Sequence, residues 1–192
     1  MLAIDPAGRD AALMARIVAG DEAALRDVAL LHGGRVLRLA QRMLGSAAEA
    51  DEVAQDTLLR VWQHAADWDQ ARAGLPGWMS MIAWRLCADR LRAPSRHAHV
   101  NIELADDVPS REPDAETALM RAQSMSLIQR ALQALPARQR AAFLLFYVEE
   151  VSGQEAADIL GLRLRAFWSL LHRAREAVER QVGVTAAKGS SS

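Results

Sequence analysis

Cysteine is almost missing from this 192-residue chain: Cys87 stands alone. No internal disulfide can form, and a reducing compartment suits the sequence. The plain reading of the lone thiol is a small apolar residue in a helix core. Lysine is as scarce, with Lys188 the only one, so basic charge is carried by arginine. No apolar run approaches bilayer length, and Met1 to Asp10 lacks the basic-then-apolar order of an export signal. The expected location is the cytoplasm. There is no phosphate-cradling glycine loop, no paired-cysteine motif and no Ser-His-Asp set to assign, so the reading is of a non-enzyme with no catalytic residue, metal or cofactor. His97 and His99 form an H-x-H pair, but without further ligands nearby they read as part of a linker. Runs of alternating β-branched residues are missing too, which excludes a sheet.

What remains is helical. Hydrophobic residues make up 51% of the chain, enough to exclude disorder throughout. Apolar residues recur at spacings of three and four nearly everywhere. The pattern starts at Ala11 to Val18 and breaks at Gly20, where Asp21 is placed to cap a helix running to about Leu44. Gly45 stops that helix, and Ser46 with Glu49 forms a capping box for the next, to about Ala66. A loop over Asp67 to Gly74 follows. Pro76 then sits in the first turn of a helix that continues through Leu91. Residues 94–114 hold Pro94, Pro109 and Pro113, and set Glu103, Asp106, Asp107, Glu112 and Asp114 against Arg96 and Arg111. That is linker composition. The expectation is an all-α protein with one small helical domain over 1–93, a linker over 94–114, a second domain over 115–183 and a disordered polar tail over 184–192.

The charge is uneven. Between Gly161 and Gly183, Arg163, Arg165, Arg173, Arg175 and Arg180 face only Glu176 and Glu179, although the formal net charge of the chain is -1. One segment is built to meet a polyanion and another to avoid it. The basic segment also carries the most informative local pattern. Ser152 and Glu155 form a second capping box, Ala156 and Ala157 permit close helix approach, Gly161 supplies a turn, and a longer helix follows. This is a helix-turn-helix, whose second helix enters the major groove of DNA. Leu164, Phe167, Leu171, Ala174 and Val178 form its expected buried stripe. Arg163, Arg165, Ala166, Ser169, His172, Arg173 and Arg175 lie off it, the first near base edges and the later arginines near phosphates. A solvated helix of an ordinary bundle has the same periodicity.

Further runs make the pattern specific. Leu132 to Pro136, Arg140, Ser152 to Ala157, Leu160-Gly161 and Arg173 to Arg175 together resemble the fourth region of extracytoplasmic-function sigma factors of bacterial RNA polymerase. Ala50 to Trp62 is similar to an A-E-D-x-x-Q-[ED]-x-F-x-x-x-W stretch of that family's second region. Trp78-Met79, Ile82-Ala83 and Asp89 to Arg92 are similar to the helix after it. The likeness covers about residues 11 to 183, with both domains in order.

The resemblance implies functions for faces that periodicity alone leaves open. On the helix from Ala50, Glu52, Gln55, Asp56, Leu59 and Gln63 share one side opposite Val53, Ala54, Leu58, Val61 and Trp62. Such a face fits either solvent or a basic coiled coil; the resemblance implies the clamp helices of the polymerase β′ subunit, with the β flap as a further contact. On the Pro76 helix, Trp84, Arg85, Ala88 and Arg92 combine an aromatic with arginines, which suits stacking and phosphate contact with an unpaired strand. The resemblance implies that this helix and the loop from Trp68 through Arg72 to Gly74 capture a base flipped from the minus-ten element. Core or interdomain packing fits Trp84 equally. The second domain would read the minus-thirty-five duplex, and an anti-sigma factor would be the controlling partner. One departure stands out: Trp168 and Leu170 occupy places that are basic in many members. Trp168 then contacts DNA, the other domain or a partner, and a sigma mimic that sequesters an anti-sigma factor without reading DNA is the competing reading.

Overall fold

The computed structural model describes residues 5–92 and 126–189, with side chains as far as residue 182. The expected linker, the histidine pair and the start of the second domain lie outside the described residues. Every element within them is helical, as expected. The first domain holds α1 (Pro6–Val18), α2 (Glu22–Leu44), α3 (Ala47–Gln63), a 3-10 turn (Ala65–Asp67) and α4 (Leu75–Arg92). In the second, residues 126–133 are helical (α5), followed by α6 (Ala137–Tyr147), α7 (Gly153–Leu160) and α8 (Leu164–Gly189).

The caps are where the composition puts them. Asp21 accepts the backbone N–H of Ala23 at 2.9 Å and opens α2. Gly45 closes it at φ 71°, a left-handed conformation that glycine takes without steric cost. Ser46 Oγ then accepts from Glu49 N at 3.3 Å to start α3. Val28, Val36, Leu39 and Met43 of α2 pack with Val53 and Val61 of α3 and with Met79, Ala83 and Leu86 of α4, all buried. Each such side chain contributes about 1.5–3 kcal/mol by leaving water. Thr57 is buried among them and satisfies its hydroxyl on Val53 O at 2.7 Å. α1 lies against α2, tied by a buried Asp10 whose Oδ1 is 3.0 Å from His32 Nε2.

In the second domain Ser152 Oγ accepts from Glu155 N at 3.1 Å, and Gly161 makes the turn at φ 64°. Phe167 is completely buried, packed in a core with Leu144 and Leu145 of α6 and Ala156 and Ala157 of α7. Two expectations need correction here. Leu164 is 38% exposed, not part of the buried stripe: it is the first residue of α8, one turn ahead of the point where Phe167 anchors the helix. The tail expected to be disordered from residue 184 is helical to Gly189, since Ala186, Ala187 and Lys188 are strong helix formers and no proline intervenes.

The two domains pack on each other, α6 and α7 against α2 and α4. Arg140, only 4% exposed, is the centre of this contact. Its guanidinium donates to Gln133 Oε1 at 2.6 Å, to Gln133 O at 2.5 Å, to Leu135 O at 3.2 Å and to Met43 O of the first domain. Nearby, Glu149 lies 3.2 Å from Arg35 and 3.7 Å from Arg42.

Candidate nucleic-acid and partner interfaces

Three surfaces carry the residues singled out by the sequence. On α3, Glu52, Gln55, Leu59 and Gln63 are all exposed, and Leu59 leaves 53% of its surface in water. Leu59 is the one apolar side chain among them, and a single exposed apolar residue is ordinary on a protein surface, so the geometry alone fits solvent as well as a partner. Asp56 differs, being half-buried with Oδ2 3.0 Å from Arg90 Nη2, which also lies 3.5 Å from Glu52 Oε2. Such partly exposed pairs contribute little to stability. They do fix where two of the five side chains stand, and Arg90 is a residue that the sequence reading passed over.

The second surface is divided. Trp68 is half-buried, and its indole N–H donates to Ala73 O at 3.1 Å, which folds the loop ahead of α4 over the ring. Arg72, Arg85 and Arg92 are exposed, Arg92 paired with Asp89. Trp84 is not beside them on an open face. It is 6% exposed, and Ala88 is half-buried. Helical spacing puts Trp84 and Ala88 on the side of α4 that carries Gly77, where the second domain lies. The exposure expected of Trp84 is therefore corrected: of the alternatives, it takes buried packing.

The third surface, along α8, leaves Arg163, Arg165, Ala166, Ser169, His172, Arg173 and Arg175 all exposed. Charge along it is partly compensated. His172 lies 3.4 Å from Glu176 and Arg175 lies 3.4 Å from Glu179, so these two side chains have carboxylates one turn on. Among the described residues, no ion pair is formed by Arg163, Arg165 or Arg173. Ser169 spends its hydroxyl on Arg165 O at 3.1 Å, and Arg173 Nε donates to Ser169 O at 3.2 Å.

Trp168 packs inside its own domain. Its ring meets Phe146 at 5.2 Å and Phe167 at 5.3 Å, both edge-on, an arrangement aromatic quadrupoles favour. Gly153 lies directly beneath: a Cβ there would stand 2.5 Å from Cζ2 of the indole. The residue as a whole remains 44% exposed.

Sequence reasoning did not find the buried charges. Burial holds Arg140 down to about 10, still cationic at neutral pH. Burial also raises the Glu149 carboxyl, against the opposing pull of Arg35, Arg38 and Arg42. The available signals were small: an arginine four residues after Pro136, and a glutamate pair following an aromatic helix. Cys87 is buried, which pushes its thiol up to about 12, as a core residue's should be. No helix among the described residues is long and apolar enough to cross a membrane.

These features define a two-module helical protein whose second module is a helix-turn-helix with an open, basic recognition helix. Comparison with known proteins makes the class definite. The chain matches Sigma-70 region 2 over residues 29–97 and Sigma-70, region 4 over residues 125–178. It is 31% identical over 174 residues to the ECF RNA polymerase sigma factor SigM of Mycobacterium tuberculosis, covering 91% of this chain and 85% of that protein. It is 26% identical over 171 residues to the ECF RNA polymerase sigma factor SigW of Bacillus subtilis, covering 85% of this chain and 91% of the other. Among solved structures, CnrH in complex with the cytosolic domain of CnrY has the same fold, with a TM-score of 0.65 at 22% identity over 96% of this chain and 99% of that one. RpoE of Bartonella quintana, in complex with the anti-sigma factor NepR, gives a TM-score of 0.64 at 20% identity, over 83% and 96%. The chain belongs to the ECF family of RNA polymerase sigma factors, which as a family are not enzymes.

Proposed function

We propose that this protein binds core RNA polymerase in the cytoplasm and directs it to a specific set of promoters, without catalysing any reaction itself. The observation that carries the reading is the pairing, in one chain and in order, of a region 2 match with an exposed α3 face and a region 4 match with an exposed basic recognition helix. Glu52, Gln55, Asp56, Leu59 and Gln63 dock on the β′ clamp helices, and the second domain meets the β flap. Arg163, just ahead of α8, and Arg165 and Ala166, in its first turn, face base edges of the minus-thirty-five duplex, while Arg173 and Arg175 hold phosphates. Trp68, Arg72, Arg85 and Arg92 take the melted minus-ten strand. Melting needs no hydrolysis, because trapping an unstacked base offsets a cost of a few kcal/mol.

Both structural neighbours are bound to a second protein, NepR being an anti-sigma factor. By analogy an anti-sigma factor holds this chain inactive until a signal arrives. The competing mimic reading rested on Trp168 and Leu170, but Trp168 packs within its domain and leaves the recognition arginines free, which favours DNA reading. Run-off transcription with purified core enzyme on genomic fragments tests the proposal. Transcripts starting from defined promoters are expected; core binding without initiation or gel-shift activity would select the mimic instead.

A further inference from the structure

None of the residues placed at polymerase or at DNA lies on α1, and the Sigma-70 region 2 match begins beyond that helix, at residue 29. Yet α1 is held along its whole length. Asp10, Leu13, Met14 and Ile17 share one face and are buried. Toward the C-terminus, Arg16 lies 2.8 Å from Asp21, which caps α2, and 3.4 Å from Asp27. In the middle, Asp10 Oδ1 lies 3.0 Å from His32 Nε2 of α2, with the His32 and Asp10 side chains 11% and 7% exposed. The exposed arginine pairs contribute little. A carboxylate so far from water is costly unless it is hydrogen-bonded, so the Asp10–His32 contact fixes how α1 lies along α2.

The N-terminal end of α1 reaches the loop between α3 and α4. α1 lies against the 3-10 turn Ala65–Asp67, and Gln70 Nε2 donates to Ala7 O at 3.3 Å, across 63 residues of sequence. The loop is also shaped from within. Asp69 Oδ1 accepts from Ala71 N at 2.9 Å, and Asp69 O accepts from Arg72 N at 3.0 Å and from Ala73 N at 3.2 Å. Trp68 packs against the core at one end and Leu75 is buried at the other. Between them the stretch from Asp69 to Arg72 is exposed, and Gln70 ties it to α1.

We propose that α1 is a brace for the strand-capturing loop. Gln70 is its joint, and the buried Asp10–His32 pair is the anchor that keeps Ala7 within reach of Gln70. What the brace supplies is preorganisation: a loop held in its binding shape before the strand arrives loses less freedom on capture. Gln70, Asp10 and His32 act through Trp68 and Arg72 and are positioning residues. The proposal rests on the assignment of Trp68 and Arg72 to the minus-ten strand.

The test uses the full chain, alone and with core polymerase. Hydrogen exchange on the free chain reads the loop through the Arg72 and Ala73 amides, both bonded to Asp69 O. Titration of the holoenzyme with a fluorescent single-stranded minus-ten oligonucleotide reads capture. Gln70→Ala removes the joint and Asp10→Ala the anchor. Asp10→Asn keeps an oxygen that accepts from His32, and is the conservative rescue. Both alanine variants are expected to exchange faster at the loop and to bind the strand about fivefold more weakly, with Asp10→Asn close to the wild type. Holoenzyme formation should be unchanged, because neither position lies on the outer face of α3. Gln70 is exposed, so its variant decides the matter even if Asp10→Ala fails to fold. Unchanged loop exchange in Gln70→Ala would overturn the brace, and faster exchange at unaltered strand affinity would overturn its part in capture. If the wild type itself never associated with core polymerase, the functional assignment would fall, while faster exchange in Gln70→Ala would still uphold the brace.

Discussion

α3 and α4 pack on the same core, and each turns a second face outward, yet those faces have opposite fates. The outer face of α3 is open, with Leu59 more than half exposed at 53%, while that of α4 is open at Arg85 and Arg92 but closed at Trp84, which is 6% exposed. Both helices show a face that periodicity marks as outward from the first domain. What separates them is a second domain that settles on one and leaves the other. Periodicity reports what points away from a local core; it carries no information about what another part of the chain brings to that surface.

The difference can be sharpened first where the effect is largest. Trp84→Ala should lower stability by about 3–5 kcal/mol, the usual loss on truncating a buried aromatic. A denaturant melt reads it. A tryptophan on an open face would change the midpoint by less than about 0.5 kcal/mol, and that outcome would put the two helices on equal terms. On α3 the reverse is expected. Leu59→Asp and Gln55→Lys should leave the melt unchanged while weakening association with core polymerase by about a hundredfold, near 3 kcal/mol for a central contact. Unaltered core binding would remove the functional contrast between the faces.

How much of this was legible follows the same division. The capping signals at Asp21, Gly45, Ser46, Ser152 and Gly161 marked the helices, because a cap acts through neighbours in sequence. The recognition-helix residues were found because exposure there depends on one periodic stripe, and only Leu164 at its end misled. Arg140 was marked only as a motif residue and Glu149 not at all; that they are buried at the domain contact depends on Met43, Arg35 and Arg42, remote in sequence. Trp168 shows both sides: its oddness was visible, but its partners Phe146 and Gly153 emerge only when three helices meet.

That last site gives a smaller effect. Gly153→Ala places a methyl 2.5 Å from the rigid edge of the indole, which must shift. Overpacking of this kind costs about 1–3 kcal/mol. Trp168→Ala in the same chain should relieve the clash, so the double variant loses less stability than the sum of the two single changes. Strict additivity would show that the ring does not rest on Gly153.

The smallest effect tests the covered face through its charges. Glu149 is held by Arg35, Arg38 and Arg42 of α2, cations across the whole working range of pH, so the carboxylate is the group in that cluster that titrates. Burial raises its pKa in the closed form more than the arginines lower it. Once the domains part and water returns, the pKa falls back to the ordinary carboxylate range. The closed form therefore binds the proton more tightly, and closing is favoured as pH falls through the raised value, with no further gain once both forms are protonated. Between neutral pH and the ordinary carboxylate range the ratio of closed to open molecules should therefore rise, read as a shrinking radius of gyration. Glu149→Gln should flatten the dependence, because a neutral amide has no proton to gain. If the variant followed the same pH curve as the wild type, the response would belong to another group, and the covered face would not be closed over a strained carboxylate.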